Sequence, residues 1–185
     1  MTSAPDRVET GRLLLSRPVP ADLDALFAIN ADPSLWTHFP ALRHTAPEQT
    51  GSAMARWEDS WSTAGLGPWT VRVLGDDEIV GYAGAGLLGG HVWNIGYRFA
   101  ARTHGKGYAT EAAAAAMEWA ALVDADRPRI AYLLEHNVAS AAVAGRIGLV
   151  PVHRGPDAGN PDPAAVRVVY ADRPLSPAQL AATLR

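Results

Sequence analysis

Two hydrophobic periods alternate along the chain and separate predicted strands from predicted helices. Residues 69–74 alternate with the period of two that is typical of a strand, and the polar residues 75–78 supply a hairpin turn. Residues 79–87 return as the next strand, and after Gly89-Gly90 residues 91–99 form another. Because these connections are too short to contain helices, we predict a three-stranded antiparallel meander in the middle of the chain.

The other apolar residues recur with the helical period or form short runs. The helical pattern predicts helices over residues 20–32, 47–63, 107–123 and 138–147, and a short terminal helix from Ser176. The short runs predict strands over residues 12–17, 129–134, 149–153 and 166–170, with a Gly-, Pro- and Asp-rich loop over 155–165. The predicted order is β-α-α-β-β-β-α-β-α-β-β, in one domain over residues 1–185.

Composition indicates one globular domain and excludes several classes of protein. The chain has 185 residues, 48% of them hydrophobic, which is enough for a core. The net charge of −3, without a basic run, argues against a nucleic-acid partner. The absence of cysteine excludes disulfides and thiol catalysis, and we expect no metal. No apolar run approaches the ~20 residues that span a bilayer, and the polar N-terminus lacks a signal peptide's apolar region. We therefore expect a cytoplasmic protein without a membrane partner.

Residues 104–112 join a glycine loop to the start of the alanine-rich helix. Gly105 and Gly107 flank Lys106, which is the only lysine in the chain. Glycine lets the backbone approach a ligand closely, and the first amides of a helix are unpaired donors at the positive end of its dipole. The segment therefore predicts an anion site suited to phosphate, the alternative being a plain turn that caps a surface helix.

The order of residues in this loop excludes two common phosphate motifs. The P-loop requires Gly-x-x-x-x-Gly-Lys-Ser/Thr, but Gly107 follows Lys106 and Ala100 stands at the first glycine position. The dinucleotide fingerprint Gly-x-Gly-x-x-Gly has Thr110 in place of its third glycine. A nucleotide-binding module is therefore the weakest of the hypotheses that we consider.

A third motif fits better. The loop resembles the pyrophosphate-binding motif of the GNAT acyltransferase superfamily, Gln/Arg-x-x-Gly-x-Gly/Ala. It reads His104-x-x-Gly107-x-Ala109, with histidine in place of Gln or Arg. A second register, Arg102-x-x-Gly105-x-Gly107, also matches the motif. We prefer the first register because the following Tyr-Ala-Thr-Glu-Ala resembles the branch that contains ribosomal-protein N-terminal acetyltransferases.

Three further segments resemble the same superfamily, in the correct order along the chain. They are Asp76-Asp-Glu78-Ile-Val-Gly81, Ile95-Gly-Tyr97, and Asn137-Val-Ala-Ser140 followed by Arg146-Ile-Gly148-Leu149. The resemblance implies an α/β (α+β) GNAT fold, in which helices flank a mixed, mostly antiparallel central sheet. It also implies that the fourth and fifth predicted strands, residues 91–99 and 129–134, splay apart.

The resemblance further implies transfer of an acetyl group from acetyl-CoA to a primary amine. The expected mechanism is direct attack in a ternary complex. The branch suggests a protein N-terminal amine as acceptor, and a small-molecule amine is the alternative. A homodimer is also compatible with the resemblance. The cofactor contacts implied by the resemblance are Arg98, Phe99, His104, Gly105, Lys106, Gly107, Tyr108, Ala109, Thr110 and Asn137.

The reaction also needs a general acid and a general base, and the resemblance and the residue chemistry suggest candidates for each. Ser140 is expected to protonate the departing thiolate, the alternative being that Asn137 and Ser140 only cap the helix. Relatives carry a glutamate as base where this chain has Asn94. His91 is the nearest titratable substitute, because the reference pKa of histidine suits the task, the alternative being that His91 is a solvated residue of the hairpin.

Other candidates for the base are His38, Glu58, Asp59 and a chain of waters. Asn94 also motivates a rival hypothesis, a catalytically degenerate acyl-CoA-binding sensor or scaffold. We expect residues 36–67 and 155–165 to shape a partly apolar acceptor site.

Overall fold

The structure is a computed structural model that describes residues 2–184. Its eight strands form one sheet in the order β1-β2-β3-β4-β5-β6-β8-β7. The strands are β1 (Arg7–Glu9), β2 (Leu13–Ser16), β3 (Pro68–Val73), β4 (Ile79–Leu88), β5 (Val92–Phe99), β6 (Arg129–Leu134), β7 (Val150–Pro156) and β8 (Val166–Ala171). The helices are α1 (Leu23–Ala31), α2 (Pro47–Ala64), α3 (Tyr108–Val123), α4 (Val138–Arg146) and α5 (Pro177–Thr183). Strands β5 and β6 are parallel and the other paired strands are antiparallel, so the predicted mixed, mostly antiparallel sheet is confirmed.

The predicted meander forms the centre of the sheet as β3, β4 and β5. Trp69 pairs with Ala83 and Val71 pairs with Gly81, so large side chains on β3 face small ones on β4. A Cβ at Gly81 would lie 2.7 Å from the Phe99 ring, which therefore needs a glycine beside it. This close packing fixes the end of β5, where the candidate site begins.

Helices cover both faces of the sheet. Helix α3 packs on β4 and β5 through a row of buried alanines, and this row brings its axis close to the sheet. The opposite face carries α1 and α2, whose Leu26 and Trp57 pack with Tyr82 of β4. Because α3 follows β5 after only eight residues, its first turn lies beside the end of β5.

The sheet opens between β5 and β6. These strands pair only at Trp93 with Arg129 and at Asn94 with Ile130. Beyond this point β6 keeps its pairing with β8 as far as Leu134, whereas β5 keeps its pairing with β4 as far as Phe99. The facing edges of β5 and β6 therefore splay apart, as predicted, and their backbone groups are left without a ladder partner.

The structure differs from the predicted elements in several places. The first predicted helix, residues 20–32, begins with a 3-10 turn over Pro20–Asp22, and α1 starts at Leu23. Strand β1 was not predicted, because three residues are too few for an alternating pattern to be recognised. Strand β7 continues to Pro156, which shortens the predicted loop to residues 157–165. The irregular segment after α1 contains two 3-10 turns, Pro33–Trp36 and Pro40–Leu42. Of the helices described between residues 2 and 184, none combines the length and apolar character needed to cross a bilayer.

Candidate functional site

The glycine loop presents a row of free backbone donors. Gly105 and Gly107 have φ angles of 77° and 80°, a left-handed conformation that disfavours a side chain. Gly107 is the N-cap of α3, and the first amide with a helical acceptor is that of Glu111, which donates to the Gly107 carbonyl. Within residues 2–184, the amides of residues 105–110 donate to no acceptor of the chain. These groups line a cavity of about 1030 Å³, which we call the loop cavity.

A network from β2 holds this loop in place. Arg12 donates from Nη1 to the Lys106 carbonyl at 2.8 Å and from Nε to Glu111 Oε2 at 2.7 Å. Glu111 Oε1 accepts from the Arg12 amide at 2.8 Å and from Thr10 Oγ1 at 2.6 Å. Partial burial alone would raise the pKa of Glu111, but these hydrogen bonds hold it below its ordinary value. Glu111 therefore stays ionised and fixes Arg12 against the loop.

His104 ties the other side of the loop to β5. Its Nε2–H donates to the Phe99 carbonyl at 3.0 Å, and the Phe99 ring is buried in the core. This bond gives a structural reason for a histidine at the position where the GNAT motif has Gln or Arg. Both residues also line the loop cavity, so this bond does not remove them from the candidate site.

Basic residues surround the loop cavity. Arg12, Lys106 and Arg146 line it and are all exposed. The lining carboxylate Glu111 is paired with Arg12, so the net charge of the wall is positive. Free amides at a helix N-terminus, together with several cations, suit a ligand with more than one phosphate. Arg12 was missed in the sequence because it is separated from Lys106 by 94 positions along the chain, and no local pattern signals such a contact.

A second cavity of about 400 Å³ lies in the gap between β5 and β6, and we call it the strand cavity. Residues 94–98 and 131–134 form its walls, and Trp36, Phe39 and Leu42 also line it. The loop after β7 contributes Asp157, whose carboxylate forms a buried ion pair with Arg167 and accepts from Asn160 Nδ2 at 2.8 Å. These two charges neutralise each other, and the lining combines apolar side chains with polar groups such as those of Asn94 and Asn160.

The two cavities meet at one group of residues, which we call the junction. The residues that line both cavities are His38, Tyr97, Arg98, Asn137 and Ser140. A ligand that extends from the loop cavity can therefore meet a second ligand from the strand cavity at these side chains. Of the predicted site residues, the structure brings Arg98, Asn137 and Ser140 together here, along with His38, one of the candidate bases.

Asn137, Ser140 and Tyr97 form the junction's hydroxyl and amide side. Asn137 Oδ1 accepts from the Ser140 amide at 3.1 Å, so Asn137 does cap α4. The Tyr97 hydroxyl donates to the Ser140 carbonyl at 3.2 Å, and burial raises the pKa of this phenol. Tyr97 was not predicted as a site residue, although it stands in the Ile-Gly-Tyr segment. Strand β5 therefore places a phenol beside α4, a helix that contains no tyrosine.

Arg98 points to the opposite face from Tyr97, as expected for neighbours on a strand. Its guanidinium carbon lies 3.3 Å from the centre of the Trp36 ring, and its Nη1 donates to the Leu35 carbonyl at 2.8 Å. The Tyr82 hydroxyl accepts from Arg98 Nε at 3.3 Å. The Arg98 side chain therefore holds the 3-10 turn Pro33–Trp36 beside the junction.

His38 is the junction's imidazole. It is partly buried, and its ring lies nearly parallel to that of Trp36, with centroids 6.3 Å apart. Its carbonyl accepts from His136 Nε2 at 3.1 Å. Burial lowers the pKa of His38, and electrostatic interaction with Arg98 and His136 lowers it further.

The other predicted bases lie elsewhere. His91 is exposed in the turn between β4 and β5, and it lines neither cavity. Glu58 of α2 pairs with Arg17, and Asp59 is likewise absent from both linings. Across the described part of the chain, no three His, Asp or Glu side chains are grouped as a metal site would require.

Comparison with known proteins agrees with this architecture. Residues 12–150 match the family model described as "Acetyltransferase (GNAT) domain", and the chain belongs to this family. An acetyltransferase from Agrobacterium tumefaciens is 28% identical, with a TM-score of 0.72, 92% of this chain and 96% of that chain being covered. A GNAT-family acetyltransferase from Bacillus anthracis is 21% identical, with a TM-score of 0.75 and coverage of 89% and 96%. RimL, a ribosomal alpha-N-protein acetyltransferase in complex with coenzyme A, is 17% identical, with a TM-score of 0.75 and coverage of 89% and 96%.

Proposed function

We propose that this GNAT protein transfers an acetyl group from acetyl-CoA to a primary amine. The observation that carries the proposal is the junction, where a cavity lined by free amides meets the gap between splayed strands. Such an arrangement can hold a phosphate-bearing donor and an acceptor amine side by side. Membership of the family and the coenzyme A complex of RimL support the choice of donor.

In this proposal the pyrophosphate of acetyl-CoA binds the free amides of residues 105–110. Gly105, Gly107 and Ala109 keep this backbone accessible, and Tyr108 and Thr110 contribute amides of the first turn. Lys106, together with Arg12 and Arg146, neutralises the phosphates. The predicted register, with Gly107 and Ala109 as the small residues, agrees with the position of Gly107 at the N-cap.

The pantetheine arm would then follow the unpaired edge of β5 towards the junction. We propose that it contacts the backbone at Arg98 and Phe99, with the Asn137 side chain on its other side. Asn137 can cap α4 through Oδ1 and still donate from Nδ2, so capping and cofactor contact are compatible.

The acyl transfer would take place at the junction, without a covalent enzyme intermediate. The amine attacks the thioester carbonyl, and a hydroxyl group protonates the departing sulfur. Ser140 is the predicted acid, and Tyr97 is a second candidate, because its raised pKa keeps the phenol protonated. A thiol has a reference pKa of about 8.5, so the leaving group needs little assistance.

The test of this proposal is direct. Release of free coenzyme A should be measured from acetyl-CoA with tyramine and with a tripeptide that has a free N-terminus, while calorimetry reports coenzyme A binding. We expect binding, and turnover with at least one amine. Absence of acetyl-CoA binding would contradict the proposal, and preference for ATP or NAD⁺ would indicate a nucleotide-binding module.

A second candidate is an acyl-CoA-binding sensor or scaffold without turnover. It is favoured by Asn94, which lines the strand cavity and cannot accept a proton as the glutamate of relatives does. Tight binding of acetyl-CoA with no acetylation of any amine would support this alternative.

A further inference from the structure

We infer that His38 is the general base of the transfer reaction, an assignment that rests on the proposed function. His38 is one of the five residues that line both cavities. Among these five, Asn137 and Ser140 carry no group that takes up a proton near neutral pH, and the guanidinium of Arg98 is already positive. Tyr97 is a phenol whose pKa burial raises. His38 is therefore the junction residue suited to accept a proton near pH 7.

The fold holds His38 at this position from two sides. Its ring lies beside Trp36, and Trp36 is itself fixed by Arg98 and by donation from its Nε1 to the Asn30 carbonyl at 2.6 Å. The His136 side chain anchors the His38 backbone to the turn that precedes α4. The imidazole is thus positioned by the Trp36 ring, which Arg98 fixes, and by the backbone bond from His136, the residue before Asn137.

The charges around His38 favour the neutral imidazole. Arg98 faces it from β5, His136 from the turn before α4, and His44 from the far side of Trp36. Asp157 and Arg167 line the same strand cavity and neutralise each other. Burial lowers the pKa of His38, and Arg98 and His136 lower it further, so the ring is uncharged at pH 7. An uncharged imidazole is the form that can accept a proton.

The proton transfers then balance. His38 takes one proton from the ammonium form of the acceptor and passes it to solvent. The nitrogen lone pair forms the C–N bond, and the C–S bond breaks with its electron pair on sulfur. The second proton lost from nitrogen ends on sulfur through a junction hydroxyl, which gives an amide and free coenzyme A.

The experiment compares His38→Gln with His44→Gln as a matched control. His44 stacks on the same indole but lines neither cavity. With tyramine and the tripeptide as acceptors, His38→Gln should lower kcat by about 100-fold or more, the range of general-base catalysis. Its coenzyme A Kd should equal that of the wild type, and the acidic limb of its kcat/KM profile should disappear. Added imidazole should restore part of the activity of His38→Ala, whereas His44→Gln should behave as the wild type.

Retention of wild-type kcat and of the acidic limb by His38→Gln would overturn the assignment. A readout that needs no acceptor is the NMR titration of the His38 ring in the coenzyme A complex, assigned by its absence from His38→Gln. A neutral ring at pH 7 supports the inference, and a charged ring overturns it. If the wild type binds coenzyme A but acetylates neither amine, the claim of transfer fails, while the ring titration still decides whether His38 is fit to act as a base.

Discussion

At the residue scale, two side-chain choices decide whether the phosphate loop exists. Gly107 takes a left-handed φ of 80° at the N-cap of α3, which leaves the amides that follow it free of local acceptors. Glu111, one turn later, binds Arg12 and Thr10 and so joins the loop to β2. The first residue creates the donors and the second keeps them in place, so their substitutions should have different effects.

Replacement of Gly107 by Asp should weaken coenzyme A binding. A carboxylate there would repel the pyrophosphate and compete for Arg12, since even a Cβ lies 3.4 Å from Arg12 Nη2. One like-charge pair at about 4 Å costs about 1 kcal/mol in water and about 4 kcal/mol near a protein surface, so calorimetry should show at least about fivefold weaker binding. Gly107→Asn is the control, because asparagine tolerates the same φ without the charge. Equal affinities of the two variants would mean that the phosphates bind elsewhere.

Replacement of Glu111 by Gln should destabilise the fold in a pH-dependent way. The variant loses charge-assisted bonds from Arg12, at a cost of about 1–2 kcal/mol at pH 7 by urea denaturation. Because the folded-state pKa of Glu111 is lowered, its stabilisation is complete above the unfolded-state pKa of about 4.3 and is lost as the pH falls through the folded value. The difference between wild type and variant should therefore shrink below about pH 4.

The matched control for this pH series is Glu9→Gln. Glu9 pairs with Arg7, and their side chains are 57% and 65% exposed, against 19% for Glu111. Exposed pairs contribute little, so this variant should lie within about 0.5 kcal/mol of the wild type at every pH. A pH-independent loss in Glu111→Gln would instead indicate a packing effect.

At the element scale, the loop over residues 157–165 is attached to the sheet by one buried ion pair. Asp157 pairs with Arg167 of β8, and the Arg167 guanidinium also donates to the Thr183 carbonyl at the end of α5. Arg167 lies 4.7 Å from the centre of the Tyr132 ring. A loop rich in Gly and Pro thus acquires a fixed position as one wall of the strand cavity.

Replacement of Asp157 by Asn should loosen this attachment. The change leaves the Arg167 charge buried without its partner, and breaking a buried pair in this way costs about 3–5 kcal/mol. Urea denaturation should show the loss, and limited proteolysis should cut the loop faster. Glu135→Gln, in an exposed pair with Arg154, is the control and should change little. Similar stabilities of both variants would show that the buried pair does not anchor the loop.

At the scale of the whole molecule, the sequence predicted what is local and missed what the fold assembles. The alternation over residues 69–74, the hairpin at 75–78 and the glycine loop are encoded by neighbouring residues, and the structure has each of them. His38 and Tyr97 are far apart in the sequence and come together only in the folded chain. Their approach depends on how β5 and β6 splay and on the turn Pro33–Trp36 that Arg98 holds. His91 was chosen because it is close to Asn94 in the sequence. It lies in the turn before β5, on the far side of the pair Trp93–Arg129 from the junction.

This assembly predicts a pattern of hydrogen exchange that covers both cavities. The amides of residues 105–110 have no acceptor among residues 2–184, so they should exchange rapidly in the free protein. Coenzyme A at about 100 times its Kd should slow their exchange and stabilise the protein by about 2.7 kcal/mol, which raises Tm by about 5–11 °C.

ATP is the informative control, since it carries the phosphates but has no pantetheine arm. If ATP binds the loop at high concentration, it should protect residues 105–110 alone, whereas coenzyme A should also protect the open edge of β5 and the start of α4. Coenzyme A protection confined to the loop would leave the strand cavity without a role in holding the donor. Protection of β5 and α4 without the loop would place the phosphates outside the amide row, and Gly107→Asp would then leave the pattern unchanged.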